Sequence, residues 1–314
     1  MKPMSRRIAL AGLIGAAVFG ATRYLGGAKG EERARALYAN PLAKPEGKLQ
    51  VYHLGHSLVG RDMPAMLAQM AGAGHDYNSQ LGWGTSLKAH WDPDEPINGF
   101  EFENDHPKFR PAKEAIGSGD YDALVLTEMV EIRDAIRYHD SARYLAEWAG
   151  FAWDANPQTR IYLYETWHNT DDDAGWLTRI DRDLREHWQG RVKYPALAST
   201  DAPIHLIPAG QVMAAFIRAV DARGGVEGIS TLNDLFARNE DGTPDTIHFN
   251  DLGAYLVALT QYSVLYHKTP IGLPRKLTRA DGTQAVAPSQ EAAALMQQVV
   301  WDVVAKHPET GVAV

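Results

Sequence analysis

The chain has no cysteine, no unbroken apolar run of bilayer length and no stripe of basic residues. The first absence excludes disulfides and thiolate metal sites. The second excludes a comfortable transmembrane helix, which needs roughly 20 apolar residues; the longest candidate, Ile8–Ala21, has 14. The third goes with 39 acidic against 31 basic residues and a formal net charge of −8. That balance argues against a nucleic-acid partner, whose footprint is a basic patch. There is also no internal repeat and no low-complexity segment. What remains is an ordinary globular composition, 45% hydrophobic and 22% charged over 314 residues, enough for one large domain.

The N-terminus has its own character. Lys2, Arg6 and Arg7 precede the apolar run with no acid among them, the charged and hydrophobic regions of a secretory signal. Ser5-Arg6-Arg7-Ile8-Ala9-Leu10 resembles a twin-arginine export signal, with Ala9 where a Phe is common. Gly26-Gly27-Ala28 offers small residues for cleavage after Ala28. Residues 1–28 are therefore read as a signal peptide, the polar stretch 29–47 as a linker, and 48–314 as the folded domain. The expected location is periplasmic or secreted, with an uncleaved N-terminal anchor as the alternative. Cleavage would leave 27 bases against 39 acids, a net charge of −12. Such a surface favours neither nucleic acid nor anionic lipid, so no membrane partner is expected beyond the export signal.

Beyond residue 48 the hydrophobic pattern alternates between strands and helices. Strands are expected at Leu49–Leu54, Asp76–Leu81, Tyr121–Thr127, Arg160–Tyr164 and Ile204–Ile207. Helices are expected at Met63–Ala73, Asp134–Ala155, Gly175–Trp188, Gly210–Arg223, Gly253–Tyr266 and Gln290–Lys306. This interleaving implies an α/β protein whose parallel sheet carries helices on both faces. Lys88–Lys113, rich in Pro, Asp, Asn and Trp, reads as irregular, and its length marks it as a candidate for function.

Ligands bind at the carboxyl ends of such strands, and three motifs fall there. Leu54-Gly55-His56-Ser57-Leu58 places a serine between the first strand and a helix. Val59 stands where a Gly-x-Ser-x-Gly elbow has its second glycine, and a serine in this position also serves as a plain turn or helix cap. Asp245-Thr246-Ile247-His248 precedes an apolar helix. That spacing lets a carboxylate curl back and orient an imidazole as general base; the plainer alternative is an acid at a helix start beside an exposed His248. Gly82-Trp83-Gly84-Thr85-Ser86-Leu87 follows the second strand, where backbone N–H groups can face a ligand oxygen or form an ordinary turn.

Together these motifs resemble the SGNH, or GDSL-like, hydrolase superfamily, in a divergent bacterial form. That family has a Ser block on the first strand, a Gly block after the second, Gly-x-Asn-Asp after the third, and Asp-x-x-His near the C-terminus. Ser57, Gly82 or Gly84, and Asp245 with His248 match three of the four, across residues 49–266. The resemblance implies a three-layer α/β/α sandwich with a central, mostly parallel sheet of flavodoxin-like type. It implies hydrolysis of a carboxylic ester through an acyl-enzyme, with Ser57 as nucleophile, His248 as base and Asp245 orienting it. The Ser57 and Gly84 N–H groups would hold the oxyanion, and no metal or organic cofactor is implied.

Two positions depart from the family. His56 stands for the Asp of Gly-Asp-Ser, and Leu126-Thr127-Glu128-Met129 occupies the third block without an asparagine. Without that donor a slow enzyme on small activated esters is expected, unless a protonated Glu128, or Asn78 or His90 from another segment, supplies it. Trp83, His90 and Trp91, with Glu165 and Trp167 at the end of the fourth strand, are candidates for lining a substrate cleft. Asp171-Asp172-Asp173 reads as a solvated turn or helix cap rather than a metal site. The expected substrate is a small-molecule or glycan ester, with an O-acetyl group on a glycan preferred. The alternatives are a polysaccharide O-acetyltransferase using the same triad, and a non-catalytic glycan-binding member of the fold.

Overall fold

The computed structural model describes residues 27–313. The export-signal reading falls almost wholly on residues 1–26, outside the described residues. Five strands form one sheet: β1 (Leu49–His56), β2 (His75–Gly82), β3 (Ala123–Leu126), β4 (Arg160–Glu165) and β5 (Ile204–Pro208). Their order is β2-β1-β3-β4-β5, and every neighbouring pair is parallel. This is the flavodoxin-like doubly wound order, whose switch point lies between β1 and β3. A separate antiparallel pair, β6 (Phe236–Arg238) and β7 (Pro244–Phe249), stands outside the sheet.

The helices are α1 over 27–37, then α2 (Asp62–Ala71), α3 (Leu87–Trp91), α4 (Phe100–Asn104), α5 (Ala112–Gly117), α6 (Ile132–Tyr138), α7 (Ser141–Ala155), α8 (Trp176–Asp183), α9 (Tyr194–Leu197), α10 (Ala209–Asp221), α11 (Asp251–Tyr266) and α12 (Gln290–Lys306). Successive strand residues point to opposite faces, so Val51 enters one core and its neighbours Tyr52 and Leu54 the other. The first core is closed by α2, α8, α10, α11 and α12. The second is closed by α1, α3, α5, α6, α7 and α9. This is the expected α/β/α sandwich. Because both faces are covered, the inner strands read as continuous apolar runs, as Ala123-Leu124-Val125-Leu126 does.

Three expectations are corrected. Asp134–Ala155 is two helices, because Asp140 between α6 and α7 has a left-handed φ of 48°. Lys88–Lys113 is not an irregular loop: it carries α3 and α4 and then covers the edge of β2. Ser79 N–H donates to Lys108 O at 2.9 Å, and Asn104 brackets Leu81 by accepting from its N–H at 3.0 Å and donating to its carbonyl at 2.8 Å. An edge strand with free N–H and C=O groups invites unwanted pairing, and this segment occupies them. The supposed linker 29–47 begins as α1, packed on the domain through buried Ala34. Arg33 donates to the Leu197 carbonyl at 2.8 Å, and the Tyr38 hydroxyl donates to Ile204 O. Its buried stripe is made of small residues, Gly30 and Ala34, which carry little hydrophobic signal. Among the described residues no helix is long and apolar enough to cross a membrane.

Several histidines sit in these cores as neutral groups. His53 and His205 are buried with neither ring nitrogen hydrogen-bonded. Burial pushes each down to about 3. The unfolded chain takes up these protons near pH 6.5 and the native chain does not, so the contribution is complete above about pH 6.5 and is lost as pH falls toward 3. Stability measured by urea unfolding should therefore drop between pH 7 and pH 4.5. His53→Leu should reduce that drop by on the order of 2 kcal/mol. An unchanged pH dependence in the variant would contradict a neutral His53.

Candidate active site

The serine turn is built at the switch point. β1 ends at His56, and the next N–H groups fold back on it: Val59 and Gly60 donate to His56 O at 2.8 and 3.2 Å. The buried His56 ring ties this turn to the next strand. Its Nε2 lies 2.9 Å from Glu128 O, and its Nδ1 accepts from Leu58 N–H at 3.3 Å. These partners require a proton on Nε2 and a lone pair on Nδ1. Burial pushes His56 down to about 4, which keeps that neutral tautomer. On the other side, the Tyr164 hydroxyl donates to Leu58 O at 2.9 Å. Sequence reasoning assigned no role to His56; here it fixes the serine turn against the end of β3.

Asp245 and His248 arrive on β7. Asp245 Oδ1 accepts from the Ile247 and His248 N–H groups at 2.7 and 2.8 Å, the local turn that short carboxylates favour. Its other oxygen lies 2.8 Å from His248 Nδ1. His248 Nε2 lies 3.0 Å from Ser57 Oγ, across 191 residues of chain. A carboxylate on Nδ1 holds the ring proton there and leaves Nε2 free to accept from the serine hydroxyl. Partial burial disfavours the charge on Asp245, but the His248 and Ile247 N–H groups and the imidazole outweigh it and hold the carboxyl below its usual range.

This hairpin is braced from three directions. Asn250 caps α11 by accepting from Leu252 N–H at 2.9 Å, and its amide donates to Asp234 O and Phe236 O at 2.9 and 3.0 Å. The loop after β4 grips β7 through Thr170 N–H to Thr246 O at 2.8 Å and Trp167 Nε1 to Ile247 O at 2.9 Å. Gly253 lets α11 approach closely, since a Cβ there would meet Leu235 O and Phe249 Cβ at 2.6 Å each.

The Gly block leaves β2 beside the serine. In the β1–β2 register Gly82 is opposite His56, so Gly84 lies just beyond the same edge, and no acceptor among the described residues takes its N–H. Glu128 does not face this space. It is fully buried, and its Oε1 accepts from Leu87 and Met129 N–H at 3.2 and 2.8 Å. It therefore anchors the end of the Gly block to β3 rather than offering a hydrogen to a ligand. Nor do the other two side chains expected as donors reach the site. Asn78 bonds to Lys108 O and to the Tyr121 hydroxyl near the start of β2. His90 is buried between Gln80 and Gly55 O, at 3.0 and 2.8 Å.

Of the five residues expected to line a substrate cleft, only Trp83 is exposed, at 53%. Of the other four, His90, Glu165 and Trp167 are buried and Trp91 is half-buried. His90 supports β1 from below. Trp91 packs edge-on against Trp148, centroids 4.9 Å apart, on the α7 side. Glu165 is buried and accepts from Gln211 N–H and Nε2 at 3.2 Å each. Trp167 is buried and spends its N–H on β7. Chain position at the carboxyl edge was the signal for all five, and it does not distinguish a lining side chain from one that supports the lining. Asp172 is no free turn residue either: with Glu131 and Asp183 it surrounds the buried Arg179 guanidinium. Among the described residues no group of three or more His, Asp or Glu is placed to share a metal ion.

No protein-family model matches the chain, and no curated protein matches it. Among solved structures it is similar to a protein described as a GDSL-like lipase from Parabacteroides merdae, at 14% identity over 72% of this chain and 98% of that one, with a TM-score of 0.42. It is also similar to an aryl esterase from M. smegmatis, at 14% identity over 68% of this chain and 97% of that one, with a TM-score of 0.35.

The anchoring role of Glu128 has a measurable sign. Burial pushes its carboxyl up to about 7 against the pull of the N–H groups it accepts. Its contribution is complete below the unfolded value of about 4.5 and is lost as pH rises through about 7. Wild-type stability should fall by about 1 kcal/mol between pH 6 and pH 9 from this group. Glu128→Gln, which is neutral throughout and can still accept both N–H groups, should lack that fall. An equal fall in the variant would contradict the assignment.

Proposed function

We propose that the protein is a serine ester hydrolase working through an acyl-enzyme. The observation that carries this reading is the single line of contacts from Asp245 through His248 to Ser57 Oγ, at 2.8 and 3.0 Å. In this mechanism His248 Nε2 takes the serine proton as Oγ attacks the ester carbonyl. Asp245 keeps the imidazole in the required tautomer and offsets its positive charge. The N–H groups of Ser57 and Gly84 face the developing oxyanion. As the tetrahedral intermediate collapses, His248 returns the proton to the leaving alcohol and Ser57 keeps the acyl group. A water, deprotonated by the same imidazole, then attacks the acyl-serine; as the C–Oγ bond breaks, His248 returns the proton to Ser57 Oγ and the carboxylic acid leaves.

The proposed substrate is an O-acyl, preferably O-acetyl, ester of a glycan, met in the periplasm or outside the cell after export. Transfer of the acyl group to a sugar hydroxyl would use the same acyl-enzyme. Hydrolysis is favoured because the His248 side chain is 46% exposed, so water reaches the base. A complete triad gives no support to the non-catalytic reading.

Steady-state kinetics on p-nitrophenyl acetate test the proposal. Ser57→Ala and His248→Ala should each lower kcat/KM by about 10³-fold or more, and the double variant should be little worse than either, because the two act as one unit. Losses that add in free energy, or a Ser57→Ala enzyme within a few-fold of wild type, would overturn the assignment.

A further inference from the structure

Two large aromatic side chains stand in the open beside the serine. Trp83 and Phe102 are 53% and 67% exposed, with ring centroids 6.0 Å apart. The β1–β2 register brings Trp83 toward the site: Gly82 lies opposite His56, so Trp83 and Ser57 are the first residues beyond the ends of neighbouring strands. Arg61, four residues beyond Ser57, donates to the Phe102 carbonyl and lies 5.5 Å from its ring centroid. The serine turn and the aromatic pair are thus tied together.

The indole is held in one orientation. Trp83 N–H donates to Asn98 O at 2.7 Å and Nε1 donates to Glu103 Oε1 at 2.7 Å. One ring face lies against Gly99, whose φ is 69° and where a Cβ would sit 2.3 Å from the ring. Only glycine both adopts that backbone and lets the ring lie flat. With 53% of the residue exposed, much of the rest of the ring meets solvent. A rigid apolar face kept bare is the mark of a surface that receives a ligand.

We infer that Trp83, flanked by Phe102 with its ring tilted 53° to the indole, is a stacking platform for a pyranose ring, so that the ester brought to Ser57 is carried on a carbohydrate. The inference rests on the hydrolase reading for its chemistry, and on the platform alone for the sugar. A fatty acyl chain needs an apolar channel that closes round it, whereas this surface is open and flanked by charge, with Glu103 at the indole N–H edge and Arg61 over the Phe102 ring. An aryl group would stack but leave those charges without hydrogen-bond partners. A pyranose has the matching form: ring C–H groups make an apolar face for the aromatic rings, and hydroxyls around its perimeter reach the carboxylate and the guanidinium.

Isothermal titration calorimetry on the Ser57→Ala variant, which cannot turn the ligand over, tests this with partially O-acetylated tetrasaccharides of xylose, mannose and N-acetylglucosamine. At least one should bind. Adding Trp83→Ala should weaken binding about tenfold, the scale of one lost aromatic contact. Trp83→Phe, which keeps a flat ring, should restore most of it, and thermal melting checks that each variant is folded. Binding insensitive to Trp83→Ala would overturn the inference. So would a panel that fails to bind while the wild type cleaves p-nitrophenyl acetate. Trp83-dependent sugar binding by a protein that cleaves no ester would uphold the platform and count against the hydrolase reading instead.

Discussion

The hairpin β6–β7 belongs to neither layer of the sandwich, yet it carries two of the three residues at the site. An isolated two-stranded hairpin is marginal in water, and this one has only three residues in its first strand. Its position comes from elsewhere. Asn250 ties its end to the turn before β6 and caps α11 at the same time. α11 is buried on nearly every side, from Gly253 to Tyr266. A helix apolar all round can only be a core helix, and its N-terminus therefore has a fixed place relative to α2 and β1. The 3.0 Å contact between His248 and Ser57 is in this sense a consequence of how α11 packs.

The same economy explains the polar residues beneath the site. His56, His90, Glu128 and Trp167 are all buried, and each places one polar atom on backbone near the serine, the Gly block or β7, while Glu128 Oε2 is left without a partner among the described residues. Buried polar groups must be satisfied, and satisfying them with backbone of the site loops makes those loops rigid. Glu128 belongs here: it is buried at the end of β3 and accepts from backbone N–H groups. In the proposed mechanism the oxyanion would then rest on backbone N–H groups, of which that of Gly84 meets no acceptor among the described residues.

Much of this was legible in the sequence, for physical reasons. Strands buried on both faces are short apolar runs with sharp ends, so all five strands of the sheet were found, and α12 was found with the bounds Gln290–Lys306. Asp245 and His248 were legible because their bond is local, three residues apart. What was hidden depends on distant packing. α1 has a stripe of Gly30 and Ala34 that means little until Tyr194 lies across it. The break at Asp140 leaves no proline or glycine behind. Phe102 lies far in the chain from both Trp83 and Arg61 and meets them because Asn104 folds α4 back onto β2.

The central claim is that Ser57 is a nucleophile activated by His248. Reaction of the folded protein with a fluorophosphonate, followed by mass spectrometry of its peptides, tests this most directly, because the reagent modifies a serine only where a neighbouring base makes it reactive. One adduct per chain on the peptide containing Ser57, absent from the His248→Ala variant, is the expected result. A folded protein that takes up no reagent, or takes it up on another serine, would contradict the account.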